Sequence, residues 1–347
     1  IHVKDASRQE AQEYVQEYQS TMEQSGNNVS VRGPQRSGWR NWRDVHHEFQ
    51  VRLPQQFNTD VSTAGGSISV EGTKGRVEAR TSGGSINVEE ITGEVRVNTS
   101  GGSLNLTDIT GPVEGNTSGG SINVEQVTGQ LDVQTSGGSL NIVGVQSDVR
   151  AQTSGGSVYI EDVQGSVRAR TSGGSMDVGR VTQDVSIQTS GGDIELADIG
   201  GRSEARTSGG DIEGRTLRGP VDVTTSAGDI ELDDVQAGVD ARTSVGDIEV
   251  EITLSDFSVD YATQLTTSHG DIDIVLPPDL PASIDAVVEP LYQWDRDDIL
   301  SDFPLSRTTP EDERSRTLRS SGDINGGGPS IELRTNGGSI RIERGGQ

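Results

Sequence analysis

One phrase returns along this chain at a fixed interval of eighteen residues. TSGGSINVEEITGEVRVN runs from Thr81 to Asn98, and the phrase recurs at Thr99, Thr117, Thr135, Thr153, Thr171, Thr189, Thr207, Thr225 and Thr243. A length of 347 residues would ordinarily suggest two or three domains. A short strict period overrides that expectation. It marks a solenoid, which grows in one dimension and buries each coil against its neighbours.

Inside one unit the apolar residues alternate, which indicates strands. Ile86 and Val88 face one way while Asn87 and Glu89 face the other. Ile91 stands at a corner, and Val95 and Val97 face inward again. Stacked, these positions form apolar columns: Ile86 continues as Leu104, Ile122 and Leu140, and Val95 as Val113, Leu131 and Val149. The expected fold is all-β, a single elongated parallel β-solenoid with about 18 residues per coil. Gly83 and Gly84 allow a sharp first corner and a close approach of successive coils. Thr92-Gly93 and its equivalents form a second corner, less strict because Ser147 and Gln183 stand where glycine would. The Thr81 column is expected to stack as a hydroxyl ladder. At ~4.8 Å per rung, the ten regular steps from Thr63 to Thr243 give a core about 48 Å long.

The ends break the period. Ser7 to Gly26 reads as a helix capping the first coil: Ser7 and Glu10 form a capping box, Ala11, Val15, Tyr18 and Met22 make an apolar stripe, and Gly26 stops it. Ile1-His2-Val3 reads as a short strand paired with a neighbouring molecule, and Val45 to Leu53 as an entry strand. The expected organisation is 1–60 for the strand, capping helix and entry strands, then 61–276 for the regular solenoid. An irregular, loop-rich segment follows over 277–319, and terminal coils over 320–347. The last expected strand stops five residues before the chain end with no helix after it, so that edge is expected to be left open for a partner.

GDI…GGGPSIELRTNGGSIRI, preceded by the TSGGSI and TSGGDI phrases, resembles the bacterial and archaeal adhesin-like family of repetitive β-proteins. The resemblance covers nearly the whole chain from about Phe49 onward. It implies an extracytoplasmic β-solenoid and brings no catalytic residues with it.

Chemistry is sparse. The column Ser85, Ser103, Ser121, Ser139, Ser157, Ser175 becomes Asp193, Asp211, Asp229, Asp247, Asp271. Two residues on, the asparagine column of Asn87, Asn105, Asn123 and Asn141 becomes Glu195, Glu213, Glu231, Glu249 and Asp273. Stacked asparagines can form an amide ladder. Stacked carboxylates repel by ~1 kcal/mol per pair even in a water-like dielectric. They are therefore solvated, or raised in pKa, or bridged by cations. No cofactor is required. Calcium accepts oxygen ligands of this kind, with Asp193, Glu195, Asp211, Glu213, Asp229, Glu231, Asp247 and Glu249 as the candidate ligands, and a solvated acidic face is the alternative. The G-G-x-G-x-D signature of calcium β-rolls is absent, because Ile194 interrupts GGDIEL. Trp39, Trp42, Tyr292 and Trp294 are the candidate ligand contacts, able to stack on sugars or simply to pack under loops. His2, His46, His47 and His269 are scattered and read as surface residues.

A formal charge of −26 and only two lysines exclude nucleic acid and anionic membranes as natural partners. No apolar run approaches the ~18 residues of a membrane span, and the absence of cysteine leaves the redox compartment unread. Ten coils without insertion leave no walls for an enzymatic cleft. The expectation is therefore a non-enzymatic extracellular or cell-surface structural protein whose partner is itself. Its subunits would join head to tail into a fibre or matrix filament through Ile1, Val3, Ile340 and Ile342. The alternative is a monomeric adhesin-like module binding a cell-surface or matrix polymer, with residues Pro277 to Arg319 folded over one end.

Overall fold

The computed structural model describes residues 2–3, 9, 20–33, 45–46, 48–289, 298–308 and 317–346. They fall into two compact units, Ile1–Pro54 and Gln55–Gln347.

In the larger unit each regular coil contributes two strands. The one from Ile86–Thr92 joins a 14-stranded sheet, and the one from Val95–Asn98 joins a 16-stranded sheet. Pairing along the regular stack is parallel and in register at one coil per step, Leu104 on Ile86 and Val113 on Val95. Alternation sends Ile86, Val88, Ile91, Val95 and Val97 inside, all at most 1% exposed. The solenoid expected from the period is therefore present, with five apolar side chains per coil in its core.

The corner between Val88 and Ile91 is a bend that every regular coil makes in step. Register pairs Glu89 with Thr107 and Ile91 with Ile109, leaving Glu90 and Asp108 outside the ladder. Both sit in the left-handed region, at φ 54° and 53°. The same conformation recurs at Gly72, Gln126, Gly144, Asp162, Arg180, Asp198, Thr216 and Asp234. The frequency of Asp and Gly in this column, residues that tolerate αL best, was its signature in the sequence.

The TSGG corner is riveted by its threonine, and the hydroxyls do not ladder with one another. Thr99 Oγ1 donates to Gly84 O of the preceding coil at 2.9 Å, and Gly102 N–H donates back to Thr99 Oγ1 at 3.3 Å. Thr117, Thr135, Thr153 and Thr171 repeat the arrangement. The glycine carbonyl is a better acceptor for the single hydroxyl proton because it has no strand partner at the corner.

The far end departs from sequence order. After Ile272–Leu276 the chain makes the strands Ala282–Val288 and Ile299–Ser301, yet these do not rest on the coil just completed. Ser330–Thr335 inserts between Thr263–Thr267 and Ala282–Val288, and Ile340–Arg344 between Ile272–Leu276 and Ile299–Ser301. The last repeat phrase thus stacks on TSHGDIDI across 68 residues of sequence. Ser339 N–H reaches Asp271 Oδ1 at 2.7 Å, and Thr335 Oγ1 reaches Gly270 O at 2.8 Å. Leu318–Ile324 and the three-residue Ser306–Thr308 then close the larger sheet in antiparallel pairing. The last repeat phrase is therefore not the open edge expected from sequence, since its strands are bonded on both sides, and among the described residues part of the segment expected to be loop is strand. The enlarged coil before it holds Tyr261, 1% exposed, whose hydroxyl donates to Pro281 O at 2.6 Å.

In the smaller unit, Thr21–Ser25 pairs antiparallel with Asn28–Arg32 around Gly26-Asn27. The expected capping helix is therefore wrong over its last turn, and Met22 of its apolar stripe is 75% exposed on a strand. A two-residue Gly-Asn link with Gly26 at φ 59° is a hairpin turn, and that local chemistry overrides the weak helical stripe. Gln9 is helical, while residues 4–8 and 10–19 lie outside the described residues. His2–Val3 pairs with Val45–His46 of the same chain, so its partner is internal, and residues 48–53 of the expected entry strand are not in a strand.

Candidate functional site

The sequence-assigned assembly residues are not on offer. Ile340 and Ile342 are 0% exposed in a strand bonded on both sides. Val3 lies in the internal two-stranded sheet, and Ile1 is outside the described residues. Trp39, Trp42, Tyr292 and Trp294 also lie outside them.

The outer face of the 14-stranded sheet carries the columns singled out above. The asparagines form an amide ladder: Asn105 Nδ2 donates to Asn87 Oδ1 at 2.7 Å, and Asn123 Nδ2 to Asn105 Oδ1 at 2.9 Å. The aspartates are tied to backbone. Each accepts the N–H of its successor, Asp211 to Asp193 at 3.1 Å, Asp229 to Asp211 at 2.8 Å, and Asp247 to Asp229 at 2.8 Å. The serine hydroxyls do the same job at 3.2 Å earlier in the stack, as for Ser103 N–H on Ser85. The Ser-to-Asp change therefore strengthens an existing inter-coil bond, since a charged acceptor holds an amide more tightly. Among the described residues no three carboxylates or imidazoles gather as a metal ion requires. Asp193, Glu195, Asp211, Glu213, Asp229, Glu231, Asp247 and Glu249 are ladders, one rung per coil.

Those ladders are electrostatically loaded. Glu249 is raised above the usual carboxylate range by burial first, then by Asp273, Glu231 and Asp247. Asp273 is raised by burial despite Arg341 at 3.2 Å, and Asp177 by burial. Where the asparagine ladder gives way to acid, Tyr159 stands 40% exposed beside a shallow groove of about 550 Å³ that also touches Ser157, Ser175, Asp177, Asp193 and Glu195. Glu161 foremost pushes the Tyr159 phenol up, which keeps it neutral.

A second groove, about 620 Å³, follows the left-handed corner column past Gln126, Gln146, Asp162, Arg180, Asp198 and Arg218. Its arginines are spoken for. Arg180 grips Asp162 through two nitrogens at 2.5 and 3.1 Å, which lowers the Asp162 carboxyl, and Arg218 meets Asp198 at 2.5 Å. Both grooves are open troughs along a regular surface, and their polar groups are arranged in parallel rungs. His269 simply takes the place of the first corner glycine, in a bridge with Val245.

The Toastrack DUF4097 family model matches residues 2–179 and, a second time, residues 157–290. The chain belongs to the Toastrack DUF4097 family. Two overlapping matches on one continuous stack are what a solenoid lengthened by added coils would produce, since each coil repeats the same contacts. Comparison of this Toastrack chain with curated proteins and with solved structures found no match. Among its described residues, no helix is long and apolar enough to cross a membrane.

Proposed function

We propose that this chain is a non-enzymatic extracellular binding module whose working surfaces are the outer faces of its solenoid. The observation that carries this reading is the closed C-terminal end. A solenoid that polymerises head to tail must leave both edges unpaired. Here the last repeat phrase is sandwiched, and the sheets finish in strands of three residues, Ile299–Ser301 and Ser306–Thr308. Very short final strands are one way natural sheets avoid edge-to-edge pairing. The faces, by contrast, present long in-register rows of polar groups at a constant spacing, suited to an extended polymer of the cell surface or matrix. Catalysis is disfavoured by the same rows, because open parallel rungs do not converge on a reacting atom.

The filament reading keeps one supporting feature: Thr59–Ser62 and Ile68–Glu71 are the last strands of their sheets at the other end. Sedimentation velocity over a wide concentration range, in calcium and in EDTA, separates the two. The module sediments as one monomeric species in both; concentration-dependent growth into long species would overturn this proposal and restore the filament.

A further inference from the structure

The outer face of the 16-stranded sheet holds an anomaly. Most described arginines of the solenoid lie within 4.0 Å of a carboxylate, as do Arg80, Arg96, Arg206 and Arg242. The side chains of Arg150, Arg168 and Arg170 make no ion pair or hydrogen bond among the described residues, and all three are exposed. They also lie together. Arg150 and Arg168 are register partners on the adjacent strands Val149–Gln152 and Val167–Arg170. Arg170 is two residues beyond Arg168 on the same face, beside Gln152 and Gln188. Like charges directly opposite on paired strands destabilise a sheet. In a chain of net charge −26, three adjacent unpaired guanidiniums break the local rule without a structural return.

Their setting names the ligand chemistry. Between Arg80 and Arg170 the column that holds both runs Asn98, Asn116, Gln134, Gln152, a track of amides one per coil, with Asn116 Nδ2 on Asn98 Oδ1 at 3.2 Å. Amides donate and accept at once, as hydroxyl-rich chains require. Guanidinium forks bind carboxylates through paired bonds. The strands of this face stack parallel and in register, one per coil, which suits an extended polymer laid across coils. We infer that this face binds an acidic polysaccharide, its carboxylates on Arg150, Arg168 and Arg170 and its hydroxyls along the amide track. This deepens, and rests on, the binding-module reading. Asp132 and Asp148 border the patch on the Arg150 side, and Asp148 already accepts the Ser166 N–H at 2.9 Å. The remaining acid is screened over roughly 8 Å at physiological salt, so a contact on the patch feels the arginines first. A second copy of the chain is the weaker occupant, because it would bring its own −26 charges to the same face.

The test is binding of polygalacturonate, dextran and polyphosphate to the full chain at about 0.15 M NaCl, using wild type and Arg168→Ser/Arg170→Gln. These replacements are what the same columns carry one coil away, at Ser186 and Gln188, so the fold is kept, and a thermal melt verifies it. The expected result is polygalacturonate binding that weakens by roughly tenfold or more in the double variant, with no binding of dextran. Arg80→Gln, which removes an arginine already paired, leaves binding unchanged. Equal binding of polygalacturonate by the double variant overturns the inference. Binding of dextran alone overturns it too, while leaving the module reading intact. Polyphosphate bound more tightly than polygalacturonate would mean that charge is read without the sugar, and would overturn the inference. Self-association abolished in the double variant, with no polymer bound, would overturn both readings.

Discussion

A Cβ built on Gly120 would lie 2.0 Å from the carbonyl oxygen of Gly102, whereas one built on Gly119 meets nothing nearer than 3.6 Å. The two glycines of each TSGG phrase thus have different jobs. The second lets one coil rest on the next, and the first merely occupies a corner. The chain's own variants agree, since Ala227, Val245 and His269 replace the first glycine while Gly228, Gly246 and Gly270 follow unchanged. Gly120→Ala should cost ~3 kcal/mol or more, because backbone cannot yield at one rung without moving its neighbours. Gly119→Ala should stay within ~1 kcal/mol; urea melts of the pair decide, and equal losses would contradict the rung model. Ser203 is a different case. It stands in the Val185–Val221 column at 0% exposure with no partner for its hydroxyl. Ser203→Ala should stabilise by about 1 kcal/mol in the same assay, by removing an unmet hydrogen bond from the interior. Alternation made the inward columns readable from sequence down to single residues. The distinction between the two glycines was not readable there, since it depends on a distance between coils.

At the scale of elements, the period predicted strands, corners and stacking order wherever the phrase ran unbroken. It failed where sequence adjacency was equated with spatial adjacency. The clue was present: TNGGSIRI carries the threonine and glycines that dock on another TSGG coil, and the intervening residues 277–308 do not. The phrase therefore takes the seat beside Thr263–Thr267 and Ile272–Leu276, and the interruption is displaced outward. The N-terminal miss was of another kind, a two-residue Gly-Asn turn outweighing a helical stripe. The C-terminal order has a consequence for truncation. Removing residues 326–347 deletes the strands beneath Ala282–Val288 and Ile299–Ser301. Hydrogen exchange should then show lost protection at Ile299–Ser301 and at the amides of Ala282–Val288 that face Ser330–Thr335, although their own sequence is intact. In a stack that followed sequence order, the same deletion would strip only the outermost coil and leave 282–288 protected.

For the whole molecule, charge sets the conditions of stability. Asp177, Glu249 and Asp273 are raised in the folded state, so folding favours their protonated forms. Their contribution is full below the unfolded carboxyl range near ~4 and is lost as pH rises through the folded values. Asp162 and Asp234 are lowered, so their contribution is present above that range and is lost as pH falls through their folded values. Together with relief of the −26 self-repulsion, this predicts a melting temperature that climbs from pH 7 to about pH 5 and declines below about pH 3. A steady fall from pH 7 downward in scanning calorimetry would contradict it. The acidic columns were legible in the sequence. Their tie to backbone amides was not, because it arises only once the coils are stacked. The unpaired arginine face was equally hidden: Arg150, Arg168 and Arg170 look like any other arginines until register sets them side by side.

The closed end is the claim on which the functional reading turns, and the absence of native cysteine makes it directly testable. Gln264 and Glu332 are register partners on adjacent parallel strands, whereas Asp285 lies one strand further out, beside Glu332. Adjacent strands bring Cα atoms to ~4.8 Å, within disulfide range, and a two-strand separation near ~9.6 Å lies beyond it. Oxidation of Gln264→Cys/Glu332→Cys should give an intramolecular disulfide, seen by peptide mass mapping, while Gln264→Cys/Asp285→Cys should stay reduced. A disulfide in the second variant and none in the first would place the 282–288 strand directly on the regular stack. That would leave the last coil outermost, its edge free to polymerise.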